Sequence, residues 1–197
     1  MVELKHRCNP TPLLAAFNAD HPNAKPEDFN SIAFREVKNA IKEELNEDQG
    51  GLCVYCEQKL AAADGQLEHI KPKGGKKARS DLCFTYTNYA HSCINPNTCG
   101  QKKKDGVLPI EPTDPHCNSQ WLLSTNGSIE PRSDLTKQQR HDTIKTRDML
   151  GLNQPALVEA RQRVLRNVIE ILQQNPQAAS AFIASQEFRY LLTASLN

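Results

Sequence analysis

The sequence predicts an α+β fold in which a small core, held together by a bound metal ion, lies between helical segments at the two ends of the chain. Apolar residues recur at helical spacing near both ends, five of the seven cysteines fall within residues 53–99, and Pro, Gly and Asn interrupt the middle. With 197 residues and 38% apolar content, the chain can form one compact domain with appendages.

The N-terminal segment, residues 1–48, is predicted to form an arm followed by a helix. Its first thirty residues are rich in Pro and Asn and predict an irregular arm. The helix is predicted over 31–48, because apolar residues then recur every three or four positions: Phe34, Val37, Ile41 and Leu45. The glycine pair Gly50-Gly51 ends it.

Residues 49–112 are predicted to form the core that the bound metal holds together. Residues 66–70 alternate in a way that suits a strand, with Leu67 and His69 on one face. A basic, Gly-containing loop follows at 71–81, and residues 82–90 are either a second strand or irregular. We expect a short helix after Cys99.

The remaining segment, residues 113–197, is predicted to form a hairpin and a helical region. The Asn126-Gly127 turn indicates the hairpin, and helices are predicted over 136–150 and 155–174. A last helix is predicted from the apolar residues between Phe182 and Leu192.

Charge and hydropathy exclude some classes of function. Residues 57–106 carry nine Lys or Arg against five Asp or Glu, a net charge of +4 in a chain whose total is +1. This excess favours a nucleic-acid partner, with a merely solvated loop as the alternative. No run of about eighteen apolar residues or signal-like N-terminus is present, so we expect a cytoplasmic protein.

Four cysteines predict a structural zinc site. A Cys-x-x-Cys pair presents two thiolates from one turn, and a looser pair thirty-seven residues later supplies the others: Cys53, Cys56, Cys93 and Cys99. An odd cysteine count also argues against a disulfide framework. The alternatives are four unrelated buried thiols or a redox Cys-x-x-Cys, although no thioredoxin-like pattern surrounds the pair.

The other candidate ligands for this site are weaker. We expect Cys8, Cys83 and Cys117 to be small buried residues rather than ligands. His91 could replace a cysteine ligand, but a surface or supporting role fits it better.

Between the two cysteine pairs lies an acid beside a histidine, Glu68-His69. A carboxylate is a ligand for Mg²⁺ or a similar ion, and an imidazole with a pKa near 6.5 can deprotonate water at neutral pH. An ordinary surface strand is the alternative for the dipeptide alone. The two cysteine pairs and the downstream Asn88 strengthen the catalytic interpretation.

Taken together, these motifs resemble the HNH (ββα-metal) endonuclease superfamily. The resemblance is carried by Cys53-x-x-Cys56, Glu68-His69-Ile70, Asn88, Cys93, Cys99 and Lys103. More narrowly, the chain resembles the PtuB-like HNH nuclease of Septu and retron anti-phage systems over about residues 30–165. That likeness adds Gln49–Glu57, Asp114-Pro115, Gly127–Pro131, Thr143-Ile144, Leu150–Asn153 and Arg161.

The resemblance implies a role for each motif residue. His69 activates the attacking water, Glu68 binds the catalytic divalent metal (Mg²⁺ or Mn²⁺), and Asn88 orients the loop or the histidine. Many HNH sequences place a second metal ligand directly after the last cysteine, where this chain has Gly100. Gln101 is the expected substitute, with Asn97 and His116 as alternatives.

Nucleic acid and an ATPase are the expected partners. Lysines around the acid–histidine pair can neutralise phosphates: Lys71, Lys73, Lys76, Lys77, Lys102 and Lys103. The resemblance implies a DNA or tRNA substrate and an SMC-like (PtuA-like) ATPase subunit that docks on the helices at 31–48 and 155–196. The alternative function is a non-catalytic zinc module that binds nucleic acid or protein.

Overall fold

The computed structural model describes residues 1–196, which form seven α-helices and two small antiparallel sheets. The predicted α+β class is confirmed. The helices are α1 (Pro12–Asp20), α2 (Arg35–Asp48), α3 (Cys99–Lys103), α4 (Lys137–Met149), α5 (Pro155–Gln174), α6 (Ala179–Ser185) and α7 (Arg189–Leu196). The strands are β1 (Gln66–His69), β2 (Tyr89–Ser92), β3 (Trp121–Leu123) and β4 (Ile129–Pro131).

Strands β1 and β2 with helix α3 form the central ββα unit. The two strands pair antiparallel, with Gln66 opposite Ser92 and His69 opposite Tyr89. Side chains of β1 alternate between the two faces of this ribbon. Leu67 therefore packs in one apolar cluster with helix α2, whereas Ile70, just beyond the strand, packs in the other with the cysteine pairs.

The prediction of an irregular N-terminal arm was wrong. Residues 12–20 form helix α1, and a 3₁₀ turn follows at Pro26–Asn30. Thr11 caps α1 by accepting the Leu13 N–H, and Pro12 occupies a first-turn position that needs no N–H donor. The apolar residues of α1 do not recur at a regular helical spacing, and the helix is short. Their burial in the apolar cluster with α2 therefore stabilises it.

The C-terminal region follows the predicted hairpin and helices, with one difference. The last predicted helix is two helices, α6 and α7, separated by a turn in which Phe188 has a φ of +60°. The buried Glu57 carboxylate accepts the Tyr190 and Leu191 N–H groups at the start of α7. These bonds satisfy donors that a helix N-terminus leaves free, and they tie α7 to the first cysteine pair.

The core consists of two apolar clusters. One unites the first residues of the chain, the cysteine pairs, the β3–β4 hairpin and helices α5 to α7, and the other unites α1, α2 and the β1–β2 ribbon. Packing therefore crosses the predicted boundaries at residues 48 and 112. Over residues 1–196, each helix is too short or too polar to cross a lipid bilayer.

Candidate active site and metal centre

Four cysteine side chains converge in the first apolar cluster. The Sγ atoms of Cys53, Cys56, Cys93 and Cys99 all lie within 4.8 Å of one another. Three of these residues are buried and Cys93 is half-buried. The Cys53 and Cys99 sulfurs lie 3.7 Å apart, and a tetrahedron with Zn–S bonds of about 2.3 Å has edges of about 3.8 Å. The cluster therefore has the donor type, number and spacing that hold a structural metal such as zinc.

Local backbone structure explains why these cysteines meet. A tight turn joins the first pair, closed by the Glu57 N–H on the Cys53 carbonyl, and Glu57 adopts a φ of +61°. Strand β2 leads directly to Cys93, whose N–H donates to the Cys53 sulfur at 3.3 Å. Cys99 begins helix α3, and its N–H donates to the Leu150 carbonyl. The second pair is thus positioned by β2 and α3, and the first by the tight turn that precedes β1.

The other cysteines and His91 lie outside this cluster. Cys83 and Cys117 are buried as expected, whereas Cys8 is exposed, contrary to the prediction. His91 is buried: its Nε2 contacts the Asp64 carbonyl, which can only accept, so Nδ1 accepts from Asn46. His91 therefore ties α2 to the loop before β1.

Strand β1 carries Glu68 and His69 to a cleft of about 230 Å³. Its walls come from three separate parts of the chain: the 3₁₀ turn before α2, the β1 strand with the loop after it, and helix α3. The lining residues include Phe29, Gln66, Glu68, His69, Lys73 and Gly100. Both members of the acid–histidine pair thus reach one cleft although they are neighbours on a strand.

The His69 ring is fixed in one orientation. Its Nε2 lies 3.0 Å from the Cys83 carbonyl oxygen, which can only accept, so Nε2 carries the proton. Nδ1 is therefore the unprotonated nitrogen. The Phe29 ring packs at 4.5 Å between centroids and the Tyr89 ring at 5.2 Å. A neutral imidazole held this way is prepared to accept a proton at Nδ1.

Burial lowers the pKa of His69 to about 4, so its imidazole is neutral at pH 7. Repulsion from the nearby ammonium groups of Lys73 and Lys103 acts in the same direction. This differs from the ordinary value near 6.5 that the sequence predicted.

The Glu68 carboxylate is buried and bonded on both oxygens. Oε1 pairs with the Lys103 ammonium at 2.9 Å and accepts from the Tyr55 hydroxyl at 3.4 Å, while Oε2 accepts from Gln66 Nε2 at 3.2 Å. Burial raises the pKa of Glu68, and the Lys103 charge opposes that rise. Lys103 is thus the counter-ion of the Glu68 carboxylate.

Gly100 borders this carboxylate directly. A Cβ at this position would collide with Glu68 Oε2 and with Gln66 Nε2. The position at which many HNH sequences carry a second ligand therefore does lie at Glu68, but here the glycine leaves room for the Gln66 side chain.

Gln66 is the site residue that sequence reasoning missed. It lies two positions before Glu68, a spacing that puts both side chains on one face of β1 and could have revealed it. Gln101 donates to Gln66 Oε1 and so reaches Glu68 through that residue. Of the alternatives, His116 lines a different cavity and Asn97 is exposed.

Asn88 holds the loop after β1. Its Oδ1 accepts the Lys71 N–H at 2.8 Å, and its Nδ2 donates to the carbonyls of Lys71 and Leu82. These bonds fix the start and the end of the loop that carries the cleft lysines. Of the two functions implied by the resemblance, Asn88 is therefore placed for orienting the loop.

The six expected phosphate-binding lysines fall into two groups. Lys103 is buried and Lys71 pairs with Glu111 at 2.7 Å, so both ammonium groups have carboxylate partners. For Lys103 this burial does not suit contact with a phosphate backbone, and the structure assigns it to Glu68 instead. Of the remaining four, Lys73 lines the cleft, Lys76 and Lys77 are exposed on the loop after β1, and Lys102 is exposed with its side chain against Gly151.

The donor set of the cleft fits a hard divalent cation. Glu68 offers a carboxylate, and the amide group of Gln66 presents oxygen when rotated by a half-turn about the terminal bond. Gln101 does not line the cleft and contacts the Gln66 amide instead. Oxygen-only ligands of this kind suit Mg²⁺ or Mn²⁺ rather than zinc. The cleft and the cysteine cluster therefore differ in chemistry.

Comparison with known proteins agrees with this geometry. No model of a protein family matches the chain. A relative from Vibrio cholerae serotype O1 biovar El Tor, named "Retron Vc95 putative HNH endonuclease", is 42% identical over 200 residues, which cover 98% of each chain. Similarity of this extent, on a fold with a central ββα unit and paired Glu68 and His69, leads to one conclusion. The chain belongs to the HNH endonuclease superfamily.

Proposed function

We propose that the chain is a metal-dependent endonuclease that hydrolyses nucleic-acid phosphodiester bonds as part of an anti-phage defence complex. The observation that carries this proposal is the cleft around His69. One wall offers a neutral imidazole with its tautomer fixed, and the next offers a buried carboxylate at Glu68. The rim carries half-buried Lys73 and exposed Lys104.

Each group has a separate chemical task. His69 Nδ1 accepts a proton from the attacking water, and the Cys83 carbonyl keeps the other ring nitrogen protonated. Glu68 would hold the divalent cation with Gln66 beside it, and Gln101 would support the Gln66 amide. The cation would supply Lewis-acid stabilisation of the charge on the phosphate. The rim lysines hold the phosphate backbone without reading its sequence.

Zinc is the proposed occupant of the cysteine cluster, with a structural task. Four thiolates in a closed tetrahedron leave no open position for a substrate. The cluster joins the turn before β1, the end of β2 and the start of α3, which are the elements that carry the cleft. Zinc there stabilises the ββα unit.

Cleavage should depend on a hard divalent cation added to the zinc-loaded protein. The full chain, with its ATPase partner, is incubated with a DNA duplex or a tRNA after mild chelation that leaves the zinc in place. We expect no cutting until Mg²⁺ or Mn²⁺ is added. A protein that keeps zinc, binds nucleic acid and never cuts it under these conditions would instead be a non-catalytic binding module.

The proposed partner is an SMC-like, PtuA-like ATPase encoded beside the nuclease. Support comes from the resemblance to Septu and retron nucleases and from the relative's name, which associates that protein with a retron. The chain also exposes large apolar side chains in the two segments expected to dock: Ile32 is 81% exposed and Ile169 is 40% exposed. Single exposed apolar residues are normal on protein surfaces, so these two positions test the proposed docking segments rather than identify them.

Replacing these side chains by aspartate should abolish co-purification. Ile32→Asp and Ile169→Asp each place a charge that an apolar contact cannot accommodate. Leu122→Asp is the matched control, because Leu122 is 43% exposed but lies on β3, outside both segments. Pull-down of the tagged ATPase, with zinc content measured in parallel, checks the result. Equal capture of all three variants would contradict this docking surface.

A further inference from the structure

Lys38 on helix α2, outside the ββα unit, contacts two residues that line the nuclease cleft, Phe29 and Asn30. Its Nζ lies 4.0 Å from the centroid of the Phe29 ring and donates to Asn30 Oδ1 at 3.0 Å. Lys73 Nζ lies 5.5 Å from the same centroid and donates to the Pro26 carbonyl at 3.3 Å. Two ammonium groups from distant parts of the sequence therefore meet at one aromatic ring.

That ring is part of the wall of the cleft. Phe29 packs against His69 with 4.5 Å between ring centroids, and Asn30 and Lys73 line the cleft beside it. Contact with the negative face of an aromatic ring holds each ammonium group in place without neutralising it. Both charges are thus positioned next to the residue that accepts the proton.

Neither ammonium group has an acidic partner. Among the ion pairs within residues 1–196, none within 4.0 Å involves Lys38 or Lys73, and their hydrogen bonds go to neutral oxygens. Partial burial and then the charge of Lys73 lower the pKa of Lys38. Two like charges held together cost free energy, and a bound anion offsets that cost.

We propose that Lys38 and Lys73 form a phosphate-binding site that holds the backbone of the nucleic-acid substrate beside His69. The inference rests on the proposed nuclease function and extends it. The basic loop after β1 was expected to bind phosphate, whereas Lys38 brings helix α2 and the turn before it into the substrate surface. The 3₁₀ turn then holds both ammonium groups through the Phe29 ring and through oxygen atoms of Pro26 and Asn30.

Lys38→Gln tests the site against a matched control on the same helix. Lys42→Gln removes the same charge one turn later, where the ammonium donates to the Ala63 and Gly65 carbonyls instead of reaching the cleft. Both changes are made in the full chain carrying His69→Ala, so that the substrate stays intact. Binding of a labelled DNA duplex and a labelled tRNA is measured over a range of NaCl concentrations.

We expect Lys38→Gln to weaken binding by on the order of tenfold at low salt. The salt slope, which is the slope of log K for binding against log NaCl concentration, should fall by the amount expected for loss of about one phosphate contact. Lys42→Gln should keep the parent slope, and Lys38→Arg should restore it. With His69 intact, Lys38→Gln should raise KM and change kcat little, because the contact is to the backbone rather than to the reacting atoms. Zinc content and melting temperature should stay near the parent values.

Two results would overturn the inference, and they differ in what else they affect. Equal salt slopes for Lys38→Gln, Lys42→Gln and the parent, in a chain that still cuts nucleic acid, would remove the phosphate site and leave the nuclease function intact. Failure of the unmodified chain to cut either nucleic acid with its partner and metal would remove the proposed function and this site together.

Discussion

Cys53→Ser should remove the metal from the cysteine cluster and destabilise the fold strongly. Serine is a poor zinc ligand, and a small unit gains folding free energy directly from its ion. The cluster lies inside the larger apolar core and joins the turn before β1, the end of β2 and the start of α3. We expect the free energy of unfolding to fall by on the order of 5 kcal/mol, and the melting temperature by about 10–20 °C. Differential scanning calorimetry with zinc analysis of the same samples measures both.

Cys117→Ser is the control for this change. Cys117 is buried to a similar degree but lies outside the cluster, with its sulfur near the Val2 carbonyl. Its replacement should cost about 1 kcal/mol and leave one zinc per chain. Full zinc content in Cys53→Ser, or equal loss of stability in the two variants, would contradict the four-cysteine site.

Much of the fold was accessible from sequence periodicity. Helices α2, α4 and α5 carry regular apolar stripes or caps, and their observed ends lie within a few residues of the predicted ones. Helix α1 lacked such a stripe: only Leu14 and Phe17 are buried, and they are buried by contacts with α2 that are distant in sequence. Tertiary contacts of this kind leave no local pattern.

The acid–histidine pair was predictable, whereas its surroundings were not. Spacing within the motifs identified Glu68 and His69, because those residues are close in sequence to the cysteine pairs. Phe29 reaches the cleft only through the packing of the turn before α2, and Lys38 reaches Phe29 through the orientation of α2 itself. Lys103 looked like a surface cation in a basic run, but the helix directs it into the core toward Glu68.

His69→Ala should abolish cleavage while the fold, the zinc and nucleic-acid binding are retained. Loss of a general base typically costs about 10²–10⁴ in rate. The ring packs against Phe29 and Tyr89 and makes one bond to a backbone carbonyl, so the stability cost should be modest. His141→Ala, at an exposed position on α4, is the control and should cut like the parent.

Glu68→Gln should also reduce cleavage, for a different reason. The amide keeps the shape of the side chain beside Gly100 but loses the charge that holds a divalent cation. It also leaves the buried Lys103 ammonium without its carboxylate, so some loss of stability is expected. High Mn²⁺ should partly restore cutting by Glu68→Gln and should not restore cutting by His69→Ala. Equal rescue of both variants would contradict the separate tasks assigned to the two residues.

The central claim is that His69 Nδ1 accepts the proton of the attacking water. Its most direct test is the single-turnover cleavage rate of His69→Ala beside the parent, with partner, zinc and Mg²⁺ present and both proteins saturated with the same labelled substrate. We expect a fall of at least about 10²-fold with unchanged zinc content and affinity. A variant that cuts as fast as the parent would show that this cleft does not perform the hydrolysis.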